Sequence, residues 1–168
     1  MSSAGAAILE LKVPGTVSAA VERLMMQYVH AIDNDQLERW PQCFTENCVY
    51  QIIPRTAHEQ GHPIGVWYCD NRDMLEDRVS AIREVNVYEP HVYRHIIGPT
   101  EILDFTDGAY HAQTSYIVVR TMHDGEMAVF SAGRYVDEIV VAQDQALLRR
   151  RIVVTDSARF DTLVVIPI

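Results

Sequence analysis

The stretch Ala109–Met122, AYHAQTSYIVVRTM, decides the fold together with Met127–Val141, MAVFSAGRYVDEIVV. Both runs are rich in β-branched and aromatic residues, and each is long enough for a strand that crosses a whole sheet. Between them stand His123-Asp124-Gly125-Glu126, and Asp-Gly favours the backbone angles of a tight hairpin turn. The sequence therefore predicts a long antiparallel hairpin over these residues.

Shorter strands are predicted around this hairpin, and helices before it. The further β-rich runs are Cys48–Ile53, Arg94–Gly98, Glu101–Phe105 and Leu147–Val154. Apolar residues three and four apart predict one helix from Val17 to Ile32 and another from Asp70 to Asn86. Residues 55–65 contain glycine and proline without periodicity, so they are predicted to be irregular. Helices followed by long strands indicate an α+β fold, with N-terminal helices packed on one face of a long curved antiparallel sheet.

The composition predicts one soluble domain. A chain of 168 residues fits a single core, which we place at residues 16–168 after a flexible segment at residues 1–15. The charge, 14 − 23 = −9, disfavours nucleic acid and anionic membranes as partners. No apolar run is long enough to span a bilayer, Met1–Ala7 is unlike a signal peptide, and an odd set of three cysteines suits a reducing compartment. We expect a cytoplasmic protein.

Two histidine pairs resemble metal sites. His58-Glu59-Gln60-Gly61-His62 spells the H-E-x-x-H signature of zinc proteases, which requires both histidines on one helical face. Gly61 weakens a helix and Pro63 disfavours helical geometry at His62, so we do not expect a zinc site. His91 and His95, with Glu89 close by, have the residue types of an iron site. In a strand, residues four apart lie more than about 13 Å from each other, so structural roles are favoured.

The chain has no residue pattern for an iron–sulfur centre of the Rieske type. Such a cluster needs two thiolates and two imidazoles, supplied by Cys-x-His pairs. Cys43, Cys48 and Cys69 each lack a histidine two positions later. We therefore expect no cofactor and no catalytic metal in this chain.

A different possibility is an acid–base cavity inside the fold. Asp33, Tyr50, His95 and Tyr116 are residue types that act as general acids and bases in isomerases and dehydratases. The same residues are also accounted for as a turn aspartate, a strand histidine and core aromatics. Both interpretations are open from the sequence.

The candidate interface residues are Arg149, Arg150, Arg151, Ile166 and Ile168. Strand alternation places Arg150 on one face and the other two arginines on the opposite face. The run is either a solvated sheet face paired with acidic residues or a surface that binds carboxylates of another subunit. The apolar segment Thr162–Ile168 must be buried, either in its own core or against a partner, and it favours an oligomer.

Several of these segments resemble the small (β) subunits of aromatic-ring-hydroxylating oxygenases, in order and in spacing. The segments that carry the likeness are Tyr28…Ile32-Asp33, Leu37-Glu38-Arg39-Trp40, Phe44-Thr45-Glu46-Asn47-Cys48-Val49-Tyr50, Asp73-Met74-Leu75…Asp77-Arg78-Val79, Tyr93-Arg94-His95-Ile96-Ile97-Gly98, Arg151-Ile152-Val153-Val154-Thr155-Asp156-Ser157 and Pro167-Ile168. Residues 57–70 and 88–98 look most similar to the group of terephthalate dioxygenase and salicylate 5-hydroxylase. Asn47 departs from the aspartate of many members.

The resemblance implies a cone-shaped fold like that of nuclear transport factor 2 (NTF2-like) and a structural, assembly role. It implies a large α subunit as partner in an α3β3 hexamer. That subunit carries a Rieske [2Fe–2S] cluster and a mononuclear non-heme Fe(II), supplied with electrons from NAD(P)H by a reductase, with or without a ferredoxin. No catalytic residue of the family falls on this chain. The competing prediction is a stand-alone NTF2-like dehydratase or isomerase.

Overall fold

Helices packed on a seven-stranded sheet make up the molecule in this computed structural model, which describes residues 12–63, 65–85, 87–160 and 162–168. The helices are α1 (Gly15–Asp33), α2 (Arg55–Glu59) and α3 (Arg72–Glu84), with two 3-10 turns at Leu37–Arg39 and Pro41–Cys43. The strands are β1 (Phe44–Pro54), β2 (Trp67–Cys69), β3 (His91–Ile97), β4 (Glu101–Thr106), β5 (Ala109–Met122), β6 (Met127–Ala142) and β7 (Gln145–Thr155).

Helix α1 follows the predicted amphipathic spacing. Its buried side chains are Val17, Ala20, Val21, Leu24, Met25, Tyr28, Val29, Ala31 and Ile32. This stripe packs on β3, β6 and β7, because an apolar helical face is stable only when a second layer covers it. In the predicted flexible segment 1–15, residues 1–11 lie outside the described part of the chain, and Gly15 already begins α1.

The sheet runs in the order β2-β1-β7-β6-β5-β3, and β4 pairs with β5. The hairpin β5–β6 forms as predicted, from Tyr110 opposite Ile139 to Thr121 opposite Met127. The α+β prediction is confirmed, with one difference in strand direction. β1 runs parallel to β7, so the sheet is mixed. The chain between these two strands forms α2, β2, α3 and the strands β3 to β6.

Residues 55–65, predicted to be irregular, contain the short helix α2. Ala57 of this helix and Val136 pack against a small apolar cluster of Ile53, Ile152 and Val154, which is separate from the main core. Gly133 is required where β6 meets β7, because a Cβ at this position would lie 2.0 Å from the carbonyl oxygen of Val154.

Candidate functional site

The three consecutive arginines of β7 occupy three different environments. The Arg149 side chain is 33% exposed and donates to Glu138 at 2.9 Å. Arg150 is 46% exposed and lies 3.7 Å from the same carboxylate. Arg151 is fully buried. Strand alternation correctly predicted that the side chains of Arg150 and Arg151 point to opposite faces of the sheet. The face to which Arg151 points is packed in the core.

Arg151 forms a buried ion pair with Asp137 of β6. Its Nε and Nη2 donate to the two carboxylate oxygens at 2.9 and 2.7 Å. The guanidinium stacks between the rings of Tyr28 and Tyr135, 4.1 Å from each centroid, an arrangement in which both aromatic faces stabilise the cation. Burial alone would lower the pKa of Arg151, whereas the adjacent carboxylate raises it above the ordinary value. Arg151 therefore has its ion-pair partner inside its own core, and an interface role for it stays a prediction.

The C-terminal segment enters the same interior. Ile166 and Ile168 are buried, so the tail fills the chain's own core, which was one of the two predicted alternatives. The hydroxyl groups of Tyr28 and Tyr50 both donate to the main-chain oxygen of Ile168, at 2.8 and 2.9 Å. The indole of Trp67 donates to the main-chain oxygen of Val164 at 2.9 Å. Among the interface candidates, Arg149 and Arg150 remain on the surface.

Asp33 and His95 form a second buried polar pair, at the end of α1 and on β3. The Asp33 carboxylate accepts from the main-chain N–H of His95 at 2.8 Å and lies 2.5 Å from its Nδ1. Both side chains are almost completely buried. The exposed Arg94 guanidinium is 3.8 Å from the same carboxylate.

The predicted acid–base cavity does not assemble from its four residues. Tyr50 is hydrogen-bonded to Ile168, and Tyr116 shares a hydrogen bond with Ser131 at 2.9 Å. Burial raises the pKa of both phenols, so both are neutral at physiological pH. Asp33 borders a cavity of about 280 Å³, but the described residues that line it do not include Tyr50, His95 or Tyr116.

The two histidine pairs behave as strand and helix geometry predicts. Helix α2 ends at Glu59, and Gly61 has a φ of +68°, so His58 and His62 do not share a continuous helix. His91 and His95 both belong to β3. No group of three or more histidine, cysteine, aspartate or glutamate side chains in the described part of the chain is arranged to hold a metal ion.

The three cysteines do not fit a Rieske cluster. All three are buried free thiols, and burial raises the pKa of Cys43 and of Cys48 to about 11. Both residues therefore carry protonated thiols at neutral pH, and none of the three cysteines is followed two positions later by the histidine that a Rieske ligand pair requires. Within the described residues, no helix is both long enough and apolar enough to cross a membrane.

An exposed apolar surface covers part of the sheet face that points away from α1. We define this outer sheet face by five exposed side chains, Val92, Ile96, Ile117, Met127 and Val129. Cross-strand pairing joins Ile96 to Ile117 and brings Val129 opposite Val119, so the apolar side chains are contiguous over β3, β5 and β6. Sequence reasoning missed this surface. The available signal was that Val92 and Ile96 alternate with Tyr93 and His95, whose side chains are buried, so Val92 and Ile96 point to the outward face together with Arg94.

Comparisons with known proteins bear on these features. Residues 27–162 match the family described as ring hydroxylating beta subunit. The chain is 40% identical over 145 residues to the anthranilate 1,2-dioxygenase small subunit of Burkholderia cepacia, covering 86% of this chain and 90% of that protein. It is also 40% identical over 141 residues to the terephthalate 1,2-dioxygenase terminal oxygenase component subunit beta 2 of Comamonas sp, covering 84% and 92%.

Among solved structures, a β subunit assigned to an aromatic-ring-hydroxylating dioxygenase of Novosphingobium aromaticivorans superposes with a TM-score of 0.81 at 34% identity. The match covers 89% of this chain and 95% of that one. The predicted cone-shaped NTF2-like fold is confirmed, and so is the predicted resemblance.

Proposed function

Because this chain belongs to the family of ring-hydroxylating β subunits, we propose that it is the assembly subunit of an oxygenase that inserts oxygen from O2 into an aromatic ring. Its relatives are named for anthranilate and terephthalate, which supports an aromatic carboxylic acid as the substrate class. The chemistry belongs to a large α subunit with a Rieske [2Fe–2S] cluster and a mononuclear non-heme Fe(II). NAD(P)H supplies the electrons through a reductase, with or without a ferredoxin. We propose an α3β3 complex in the cytoplasm.

One observation carries the non-catalytic role of this chain. The interior of the cone, where an enzyme of this shape would hold a substrate, is filled by the chain itself. Tyr28 and Tyr50 are both fully buried and both bind Ile168, and the buried Arg151 is neutralised by Asp137. The hydroxyl groups of Tyr28 and Tyr50 are already bonded to the main chain of Ile168, so they are not available to bind a reacting molecule.

The outer sheet face supports the assembly role. Ile96, Met127 and Val129 are 58%, 70% and 67% exposed, and contiguous exposed apolar patches mark interaction sites on soluble proteins. We propose that another subunit of the complex covers this face. Arg149 and Arg150 lie on β7, outside the outer sheet face. We propose that they make additional contacts with carboxylates of a partner, because the planar guanidinium of arginine can donate two hydrogen bonds to one carboxylate.

The test is assembly with a large α subunit of a ring-hydroxylating oxygenase from the same organism. Coexpression followed by size-exclusion chromatography with light scattering should give a complex of the mass of three α and three β chains. The chain purified alone should contain no iron and should not oxidise an aromatic acid. Turnover by the isolated chain, or its failure to copurify with the large subunit, would exclude the proposal.

A matched pair of variants tests the surface. Ile117→Glu places a charge at the centre of the outer sheet face, where desolvation on assembly disfavours it. Val85→Glu places the same charge at the end of α3, on a side chain that is 73% exposed and away from that face. We expect the first variant to lose the complex and the second to keep it. Equal assembly of both would show that the outer sheet face is not the contact.

A stand-alone dehydratase or isomerase is the competing function. The observation in its favour is the buried Asp33–His95 pair, an arrangement that can move a proton. It is less supported, because neither Tyr50 nor Tyr116 borders the cavity beside Asp33. A dehydratase activity of the isolated chain that His95→Ala abolishes would favour it.

A further inference from the structure

A cavity of about 650 Å³ lies beside α2, over the strands β1, β2 and β7. Gln51 of β1 pairs with Tyr68 of β2 and with Ile152 of β7, so these three side chains form one row across the sheet. His58 of α2 and His62, just after this helix, border the same cavity. Binding sites for small molecules have volumes of about 300–1,000 Å³, so this cavity is large enough to hold a ligand.

The cavity carries a positive charge that the chain does not balance. None of the described residues that line it is acidic, although the whole chain has a net charge of −9. Arg150 belongs to the lining and lies 3.7 Å from the carboxylate of Glu138. The same carboxylate accepts a hydrogen bond of 2.9 Å from Arg149. Two guanidinium groups therefore share one carboxylate, and the lining favours an anion as its ligand.

The hydrogen-bond donors of the lining are free and open to solvent. Arg150 is 46% exposed, and its 3.7 Å contact with Glu138 is longer than a hydrogen bond. Tyr68 is 48% exposed, His62 is exposed and His58 is half-buried. Among the described residues, none accepts a hydrogen bond from these four side chains. A guanidinium, a phenol and an imidazole each carry at least one hydrogen that a ligand can accept.

The shape and the remaining lining indicate which anion fits. The planar guanidinium of an arginine can donate two parallel hydrogen bonds to one carboxylate. Ile53, Ile152 and Pro63 add aliphatic surface to the same cavity, which suits an aliphatic chain. We propose that this cavity binds a small aliphatic carboxylic acid in its ionised form. Its carboxylate accepts hydrogen bonds from Arg150, and its chain packs on the isoleucines.

This inference concerns the chain before assembly and does not depend on the proposed function. The cavity shares no described residue with the outer sheet face. A partner carboxylate at Arg150 has the same chemistry as the acid and would take its place in the complex. Binding is therefore measured on the isolated full chain, where a negative result would leave the assembly role standing.

NMR titration of the ¹⁵N-labelled chain with three compounds tests the site. Hexanoate should bind with a dissociation constant on the order of 1 mM, as expected for a ligand of few atoms. Hexanamide has the same chain without the charge, so it should bind at least about tenfold more weakly. Acetate lacks most of the apolar chain and should also bind at least about tenfold more weakly. The amide signals of Gly61 and Tyr68, which line the cavity, should shift on adding hexanoate.

Three results would refute the proposal. One is equal binding of hexanoate and either control compound. Another is the absence of any shift at about 20 mM hexanoate, and the third is a set of shifts centred away from the cavity.

A matched pair of variants tests the role of the arginine. Arg150→Met keeps the apolar stem and removes the cation from the cavity. Arg55→Met makes the same change at the start of α2, where the side chain is 49% exposed, pairs with Asp156 at 3.3 Å and does not line the cavity. We expect the affinity for hexanoate to fall at least about tenfold in the first variant only. Unchanged affinity in Arg150→Met, or equal losses in both variants, would overturn the assignment.

Discussion

Changing Arg151 to methionine tests whether the buried ion pair determines the stability of this fold. Methionine preserves most of the apolar stem and removes the cation. Asp137 then loses two charge-assisted hydrogen bonds, of 2.9 and 2.7 Å, and remains buried. Breaking a buried pair by removing one partner costs about 3–5 kcal/mol. Loss of the two cation–π contacts, at 4.1 Å each, adds to this cost.

Urea denaturation followed by tryptophan fluorescence provides the measurement, because Trp40 and Trp67 are both buried in the core. With a slope of about 2 kcal/mol per molar urea, a loss of about 4 kcal/mol moves the midpoint by about 2 M. Arg150→Met is the control on the neighbouring residue. Its side chain is 46% exposed and only 3.7 Å from Glu138, so its loss should cost no more than about 1 kcal/mol.

A double variant separates the ion pair from packing. Arg151→Met combined with Asp137→Leu removes both charges, and we expect it to be more stable than Arg151→Met alone by at least about 2 kcal/mol. Equal losses from Arg151→Met and Arg150→Met would refute the argument. So would a double variant whose loss equals the sum of the two single losses, because the two side chains would then not be coupled.

Two further predictions concern close packing and thiol reactivity. Gly133→Ala should destabilise the chain by several kcal/mol or prevent folding, since the new Cβ would lie 2.0 Å from a carbonyl oxygen. In the control variant Gly98→Ala, the new Cβ would lie 3.8 Å from its nearest neighbour, so the melting temperature should change by a few degrees at most. Similar melting temperatures for the two variants would contradict this prediction. Burial raises the pKa of Cys43 and Cys48 to about 11, so at pH 8 only about one thiol in a thousand is ionised. Ellman's reagent at pH 8 should therefore react at least about a hundredfold more slowly with the native chain than with the chain in urea. The rate for the native chain should rise as pH increases towards 11. Equal rates for the native and the urea-unfolded chain at pH 8 would contradict the burial of the thiols.

The long strands were predictable because one strand carries its own signal. The bounds Ala109–Met122 of β5 agree with the prediction, and β6 extends one residue beyond it, to Ala142. The short strand β2, Trp67–Cys69, was missed, since three residues are too few to show alternation. Parallel pairing of β1 with β7 was also missed, because pairing between distant segments leaves no local pattern.

The interior site was less predictable than the sheet. The sequence placed Arg151 and Arg149 on one face of the strand. It did not indicate that this face is buried at Arg151, because arginine is rarely buried without a partner. The partner, Asp137, lies on the neighbouring strand in register with Arg151, and register depends on the bulge between Glu138 and Ile139. A single sequence does not reveal that bulge, so the burial of the arginine could not be derived from it.

The hydrogen bonds between Tyr28, Tyr50 and the main-chain oxygen of Ile168 also determine when this protein can fold during its synthesis. Residues 28 and 168 are separated by 140 positions, and β1 needs β7 as its neighbour in the sheet. Helix α1 leaves the ribosome long before either of these contacts is available. Because long-range contacts form late, the part of the apolar face of α1 that packs on β7 stays uncovered until β7 has emerged. Until then the nascent chain exposes apolar surface of α1, and transiently exposed apolar surface favours aggregation.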